Sequence, residues 1–143
     1  MPVNGRLDWL VSYAPGELAA VGFDAEGKEV SRVVNRTAGP PAAVSLELER
    51  VDNILVVNAS IVDAHGTVCP RADNEVTFEC DGAARLLGVG NGNPLSHEPD
   101  QGTNRRKAYH GLCQAIYQME APSTVSILVT SSNLSSGGAK SDQ

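Results

Sequence analysis

The sequence is poor in aromatic residues, which make up 4% of its 143 positions. A core with so few rings must be built mainly from Val, Leu and Ile, and these residues suit stacked β-sheets. The shortage also weakens a sugar-binding interpretation, because sugar-binding modules usually stack exposed rings on a pyranose face. Hydrophobic residues nevertheless reach 41% and charged residues 20%, which is typical of a globular domain and not of a disordered chain.

Positive charge is also scarce, with 11 Lys and Arg against 17 Asp and Glu and a formal net charge of −6. A nucleic-acid-binding protein must neutralise phosphates, so we predict no nucleic-acid partner. The basic cluster Arg105-Arg106-Lys107 is too short to change this. No apolar run is long enough for a membrane span, and the first residues show no apolar core of a signal peptide.

Cysteine is limited to Cys69, Cys80 and Cys113, an odd number that leaves one thiol unpaired whatever bridges form. Cys80 and Cys113 lie in strand-like segments and are predicted to be small core residues. A Cys80–Cys113 bridge stays open, because the sequence does not supply the geometry that a disulfide requires. None of the cysteine spacings resembles a zinc motif, so we predict no metal site at these thiols.

Helical periodicity is nearly absent, and short alternating segments separated by Gly, Asn and Asp recur throughout the chain. Residues 18–24 and 28–37 flank a turn that contains Gly27, which can adopt a positive φ, and they are predicted to form a β-hairpin. Residues 38–41 then read Ala-Gly-Pro-Pro. Proline fixes φ and lacks an N–H donor, so this segment is predicted to be a boundary.

Beyond the boundary, alternation at 44–49, 55–61, 76–80 and 125–129 predicts an all-β fold. We expect an antiparallel, immunoglobulin-like β-sandwich over residues 39–134. Residues 107–118 are predicted to be one long strand in which Leu112, Ala115 and Ile116 help form the core. Residues 135–143 have no apolar face and are predicted to be a flexible tail. The sandwich would then lack one edge strand or take it from the hairpin.

Three stretches of sequence resemble a known family. Residues 9–18 read WLVSYAPGEL, residues 88–98 read GVGNGNPLSHE, and residues 105–113 read RRKAYHGLC. The first stretch resembles the end of an accessory domain in bacterial family 2 glycoside hydrolases, which are mostly β-galactosidases. The other two resemble the immunoglobulin-like domain at the C-terminus of those enzymes. Residues 62–70, VDAHGTVCP, more weakly resemble bacterial invasin-type immunoglobulin-like domains.

The resemblance implies a non-catalytic role. The two catalytic glutamates of that family lie in an upstream (β/α)₈ barrel, which this chain lacks. The chain would be an accessory, structural C-terminal domain of an enzyme that hydrolyses β-galactosides or related glycans. Its partners would be the catalytic and neighbouring β-domains of that parent, and residues 1–38 would be a hairpin remnant of the adjacent domain. Packing of the hairpin on the sandwich and strand pairing between chains are the alternatives for the hairpin. A periplasmic or extracellular location is also implied.

Catalysis by this chain has little support from the residues themselves. A glycosidase needs two carboxylates about 5–10 Å apart on either side of one bond. Glu47 and Glu49 are close together on one strand, but a solvated strand face explains them better. His65 lies in a turn, and no G-x-S-x-G motif is present to position a nucleophilic serine.

The polar loop at 90–104 and the residues after it hold the candidate site. Its amide, carboxylate and imidazole groups could bind Ca²⁺ or sugar hydroxyls, although we expect no resident cofactor. The candidate residues are Asn91, Asn93, His97, Glu98, Arg105, Arg106 and Tyr109. We favour a structural interpretation, in which residues 91–94 form turns and His97, Glu98 and Arg105 or Arg106 hold the loop. A carbohydrate-binding module and an adhesin-type domain with a protein partner are the alternatives.

Overall fold

The computed structural model describes residues 7–120 and 124–141. The chain divides into two compact units, Met1–Thr37 and Ala38–Gln143, and the division lies next to the boundary predicted at residues 38–41. The fold of each unit is given separately below. Within the described residues, no helix is long and apolar enough to cross a membrane.

The first unit contains the predicted hairpin, formed by β1 (Glu17–Phe23) and β2 (Glu29–Arg36) in antiparallel pairing. Gly27 in the turn has φ 82°, a conformation that glycine adopts without steric cost. The Asp24 carboxylate accepts a 2.7 Å hydrogen bond from the Lys28 N–H. At the base of the hairpin, the Thr37 N–H donates to the Gly16 carbonyl at 2.8 Å. No residue from 7 to 37 is buried.

The second unit is the predicted antiparallel β-sandwich. The first sheet has the order β3-β4-β8-β6 and the second sheet has the order β10-β9-β5-β7. The strands are β3 (Ala43–Val51), β4 (Ile54–Val62), β5 (Glu75–Asp81), β6 (Ala84–Gly90), β7 (Arg105–Lys107), β8 (Leu112–Met119), β9 (Val125–Ser131) and β10 (Gly137–Ser141).

The core lies between the two sheets and follows the period of two that strands impose. Every second residue of β4 faces inward, so Leu55, Val57 and Ile61 are fully buried. Phe78 faces them from β5 and is 1% exposed. Each side chain of this size stabilises the fold by about 1.5–3 kcal/mol when it is fully buried.

The prediction of one long strand at 107–118 was wrong. A turn at His110 and Gly111, both with positive φ, separates β7 in the second sheet from β8 in the first. The turn sets the phase of β8, so that Leu112 is 48% exposed and Ile116 is half-buried. Ala115 is buried as predicted. The buried side chains of β8 are Cys113, Ala115, Tyr117 and Met119.

The prediction of a flexible tail was also wrong for residues 137–141, which form β10 and pair with β9. The segment before β10 is hydrogen-bonded to the chain where β3 begins. The Ser135 N–H donates to the Ala42 carbonyl, and the Ser135 carbonyl accepts from the Val44 N–H. A Cβ on Gly137 would lie 2.6 Å from the Val44 carbonyl oxygen, so glycine is required there. The edge strand therefore comes from β10 and not from the hairpin.

The three cysteine thiols are free, so the Cys80–Cys113 bridge left open by the sequence is not formed. Cys113 is buried and Cys80 packs against the core, as predicted. Burial raises the pKa of Cys113 to about 12, and it also raises the pKa of Cys69 and of Cys80. A raised pKa leaves little thiolate at neutral pH, which makes a thiol slow to react.

Candidate functional site

The candidate loop is a strap, here defined as residues 91–104, that runs from the end of β6 to the start of β7. These two strands are the outer strands of their sheets. On the opposite side of the sandwich, β3 is joined to the segment that precedes β10 by the Val44–Ser135 bond. The strap therefore connects the two sheets on the other side of the sandwich, where β6 and β7 are the outer strands.

Arg106, on β7, is the centre of the site. It is 4% exposed, and its position opposite Val76 places it on the inward side of the second sheet. Nη1 donates to the Asp100 carboxylate at 2.7 Å and to the Glu98 carbonyl at 3.1 Å. Nη2 donates to the Asn91 side-chain oxygen at 3.1 Å. One guanidinium therefore binds the first residue of the strap and two residues in its second half.

The remaining nitrogen of Arg106 is less well satisfied. Nε lies 3.8 Å from a carboxylate oxygen of Glu98, which is an ion-pair distance but is too long for a hydrogen bond. Nε is buried and has no hydrogen-bond partner. Because the other two nitrogens of the fork carry three bonds, Arg106 still holds the strap at three points.

The turns predicted for residues 91–94 are present. The Asn91 side-chain oxygen accepts from the Asn93 N–H at 3.0 Å, and the Asn93 side-chain oxygen accepts from the Leu95 N–H at 3.0 Å. These are Asx turns, in which a side chain replaces a backbone acceptor. Asn91 also donates through Nδ2 to the Lys107 carbonyl at 2.8 Å. Both polar atoms of the Asn91 side chain are therefore used within the protein.

The strap also bonds the outer edge of β6. The Val89 N–H donates to the Asp100 carbonyl at 2.8 Å. A Cβ on Gly88 would lie 2.8 Å from that same carbonyl oxygen, so a glycine at position 88 is what allows the strap to approach. Two residues further along the strand, a Cβ on Gly90 would meet no atom within 4 Å.

The other predicted site residues lie outside this network. His97 is exposed and makes no hydrogen bond or ion pair with any residue that the structure describes. Arg105 points to solvent and pairs with Glu75 at 3.7 Å. Tyr109 makes an edge contact with the ring of His110, with 4.2 Å between ring centroids. Of the residues predicted to hold the loop, Glu98 and Arg106 do so, whereas His97 and Arg105 do not.

A cleft of about 630 Å³ lies between the strap and the outer face of the first sheet, within the size range of small-molecule sites. Its lining includes Gly88, Gly90, Asn93, Gln101, Gln114 and Ile116, and none of its lining residues is aromatic. Across residues 7–120 and 124–141, no three His, Cys, Asp or Glu side chains are grouped in a way that could hold a metal ion.

The family described as "Glycoside hydrolase family 2 C-terminal domain 5" matches residues 48–140, which include the strap and Arg106. This chain belongs to that family. A second family, described as a domain of unknown function (DUF4982), matches residues 2–31 and ends within β2. The family 2 C-terminal domain therefore accounts for most of the sandwich, and the hairpin falls largely under a different description.

Several relatives of this family 2 domain are much longer proteins. The β-galactosidase BoGH2A of Bacteroides ovatus is 32% identical over 138 residues, which is 92% of this chain and 16% of that protein. A putative β-glucuronidase of Formosa agariphila is 29% identical over 63% of this chain and 9% of its own length. The crystal structure of a β-glycosidase from Bacteroides vulgatus superposes with a TM-score of 0.82 at 30% identity, covering 94% of this chain and 18% of that one.

The family 2 domain contains one buried carboxylate that the sequence analysis did not identify. Asp63 is 4% exposed and accepts backbone hydrogen bonds from Gly39 at 2.8 Å, Thr67 at 2.8 Å and His65 at 2.9 Å. These donors, Gly39 and Thr67 foremost, lower the pKa of Asp63. The turn sequence Asp63-Ala64-His65-Gly66 was the available signal, because aspartate at the start of a turn commonly bonds the N–H two residues on.

Proposed function

We propose that this chain is a non-catalytic, structural C-terminal domain of a glycoside hydrolase that acts on β-galactosides or related glycans. Membership of the family 2 C-terminal domain family supports a hydrolase parent, and the named β-galactosidase and β-glucuronidase relatives support the substrate class. By resemblance to such enzymes, the parent works in the periplasm or outside the cell.

The observation that carries the structural role is the use of the strap's polar groups within the protein. Arg106 bonds both Asn91 and Asp100, and these two residues bond backbone groups of β7 and β6 respectively. A ligand-binding loop keeps polar groups directed at the ligand position, whereas Asn91, Asp100 and the two Nη atoms of Arg106 already have protein partners. Holding the sandwich together is therefore the role that fits the strap best.

The hairpin supplies the partner surface in this proposal. Its ion pairs, Glu17–Arg36 and Glu29–Arg32, lie among the exposed residues of the unit. The opposed pairs Leu18–Asn35, Ala20–Val33 and Gly22–Ser31 share one face of the hairpin, and none of these six residues is charged. A two-stranded sheet alone is barely stable in water. We propose that this uncharged face packs on the neighbouring β-domain of the parent enzyme.

A test in the full-length parent separates a structural role from a catalytic one. Deleting the unit equivalent to Ala38–Gln143 should lower Tm by several degrees, because a packed domain is lost. It should leave KM for a small chromogenic β-galactoside nearly unchanged. A large rise in KM with no change in Tm would contradict the structural role. The isolated chain should not turn over that substrate, and turnover abolished by replacing one Asp or Glu would contradict the proposal as well.

Carbohydrate binding is the second candidate, and the amide-lined cleft beside the strap is the observation in its favour. Titrating the ¹⁵N-labelled chain with galactosides, plant-type oligosaccharides and Ca²⁺ tests it by NMR. The structural proposal expects no saturable shifts at residues 91–106. The matched variant is Gly90→Val, which puts a side chain into the cleft from a position where an added Cβ meets no atom within 4 Å. Saturable shifts that disappear in this variant would establish a glycan or cation site instead.

A further inference from the structure

The two sheets of the sandwich differ in the charge of their outer faces. The outer face of an antiparallel sheet that meets water is usually polar. On the second sheet, β5 and β7 supply exposed charges of both signs to this face, namely Glu75, Glu79, Asp81, Arg105 and Lys107. Glu75 and Arg105 pair at 3.7 Å. This face has the composition of a surface that meets water.

The outer face of the first sheet is different on its two central strands, β4 and β8. Val56 and Ile116 lie directly opposite each other and are both half-buried. Asn58 and Gln114 form the next pair on the same face, and Gln114 Nε2 donates to Asn58 Oδ1 at 2.7 Å. The outward residues of the two strands, here called the β4–β8 face, carry no charge: Ile54, Val56, Asn58, Ser60, Leu112, Gln114, Ile116 and Gln118.

The charged side chains beside the β4–β8 face belong to the two outer strands of the sheet. Glu47 and Glu49 lie on β3, and Arg85 lies on β6, where its guanidinium donates to Gln118 at 2.8 Å. An apolar and amide centre with charge at the margin is the composition of a protein interface. Sugar-binding surfaces usually present an aromatic ring, and none of the residues of the β4–β8 face is aromatic.

The length of the relatives indicates what covers this face. The chain spans 16% of BoGH2A and 18% of the Bacteroides vulgatus β-glycosidase, so most of each relative lies outside the matched part. A contact between domains of one chain tolerates amide groups, because the covalent link already holds the two surfaces near each other. Two separate copies lack that link, and each carries a formal net charge of −6 that repels the other.

We propose that a neighbouring domain of the parent hydrolase packs on the β4–β8 face, and that the outer face of the second sheet stays in water. This inference rests on the accessory role proposed above and adds to the hairpin a second partner surface, on the sandwich itself. Val56 and Ile116 form the apolar centre of the contact. Asn58 and Gln114 supply amide groups beside that centre for hydrogen bonds across the interface.

Two cysteine variants, each studied in the isolated chain and in the full-length parent, test this proposal. Val56→Cys puts a thiol on the β4–β8 face. Thr77→Cys is the matched control, at a half-buried and β-branched position on the outer face of the second sheet. N-ethylmaleimide labels the thiols, and tandem mass spectrometry locates each label. Val56→Cys should be labelled on the order of tenfold more slowly in the parent than in the isolated chain, and Thr77→Cys at nearly the same rate in both.

The proposal is overturned if Val56→Cys is labelled equally fast in both proteins, if both variants are slowed alike, or if only Thr77→Cys is slowed. It is also overturned if Val56→Cys is protected in the concentrated isolated chain and exposed on dilution, because a second copy is then the occupant. Failure of the accessory role has a different signature. If deletion of the sandwich still lowers the Tm of the parent while Val56→Cys stays reactive, the accessory role stands and the choice of face is wrong.

Discussion

The hairpin and the sandwich are built from the same kind of alternating strand, but they differ in what covers those strands. The chain has two phenylalanines, one in each region. Phe23 on β1 is 62% exposed, and Phe78 on β5 is 1% exposed. Alternation therefore determines that a segment becomes a strand and which side chains share a face. Burial requires a second layer, which the sandwich contains and the described hairpin does not.

Polar side chains of the same type are exposed in the hairpin and buried or enclosed in the sandwich. The hairpin turn is organised by the Asp24 carboxylate at the surface, and Asp63 plays a similar part in the sandwich while almost fully buried. Arg36 forms an exposed ion pair with Glu17, whereas Arg106 is enclosed by the strap. The two regions thus offer three matched pairs of residues, and each pair supplies a test.

The largest expected effect concerns the two phenylalanines. Phe78→Ala should lower the free energy of unfolding by about 3–5 kcal/mol, because it leaves a cavity in the core. Phe23→Ala should change it by less than about 0.5 kcal/mol, as for other exposed positions. Urea denaturation followed by circular dichroism measures both. A comparable loss for Phe23→Ala would show that the Phe23 side chain is covered in solution, and the contrast between the regions would fail.

The two arginines should show an intermediate effect. Arg106→Ala removes the donor of three hydrogen bonds, whose acceptors include a backbone carbonyl and a side-chain amide oxygen. It should lower the free energy of unfolding by about 2 kcal/mol. Arg36→Ala breaks an exposed pair and should cost less than about 1 kcal/mol. Arg106→Lys keeps the charge but loses the fork geometry, so it should resemble Arg106→Ala more than the unchanged chain. Full stability in Arg106→Lys would mean that charge alone holds the strap.

The smallest expected effect is on acid sensitivity. The pKa of Asp63 is lower in the folded protein than in the unfolded chain, so the unfolded state binds the proton more readily. Its contribution to stability is therefore complete above the unfolded pKa of about 4, and it is lost as pH falls through the lower folded pKa.

Asp63→Asn removes this contribution, so the fall in urea midpoint between neutral and acid pH should be shallower than in the unchanged chain. Asp24→Asn, in the hairpin turn, is the matched control and should leave the acid dependence of the sandwich as it was. An unchanged acid dependence in Asp63→Asn would show that other carboxylates account for it.

The hairpin and the buried side chains of β4 could be predicted from the sequence. Side-chain alternation indicates the strands and the buried face of β4, and Gly27 indicates the turn of the hairpin. β10 could not be predicted, since its sequence GGAKS has no apolar alternation. It forms a strand through backbone bonds to β9 and through the close approach that Gly137 allows. The phase of β8 was missed because the positive-φ turn at residues 110–111 resets which side chains face the core.

The candidate site was predictable in residue type but not in geometry. Alternation says that Arg105 and Arg106 point to opposite sides of their strand, but it does not say which one is buried. The register decides this, since Arg106 lies opposite the fully buried Val76. Pairing partners of a three-residue strand depend on contacts across the fold, which the local sequence does not reveal.

The bond between Val44 and Ser135 joins the first strand of the sandwich to the segment that leads into its last strand. More than half of the chain separates these two residues in sequence. Contacts between such distant residues carry a large loop-closure entropy, and domains that depend on them fold in milliseconds to seconds. During synthesis, the second sheet has no complete set of strands until residues 137–141 have left the ribosome. Every strand of the first sheet is already available at Met119, so until β10 emerges the unfinished part is the edge of β9 that pairs with it.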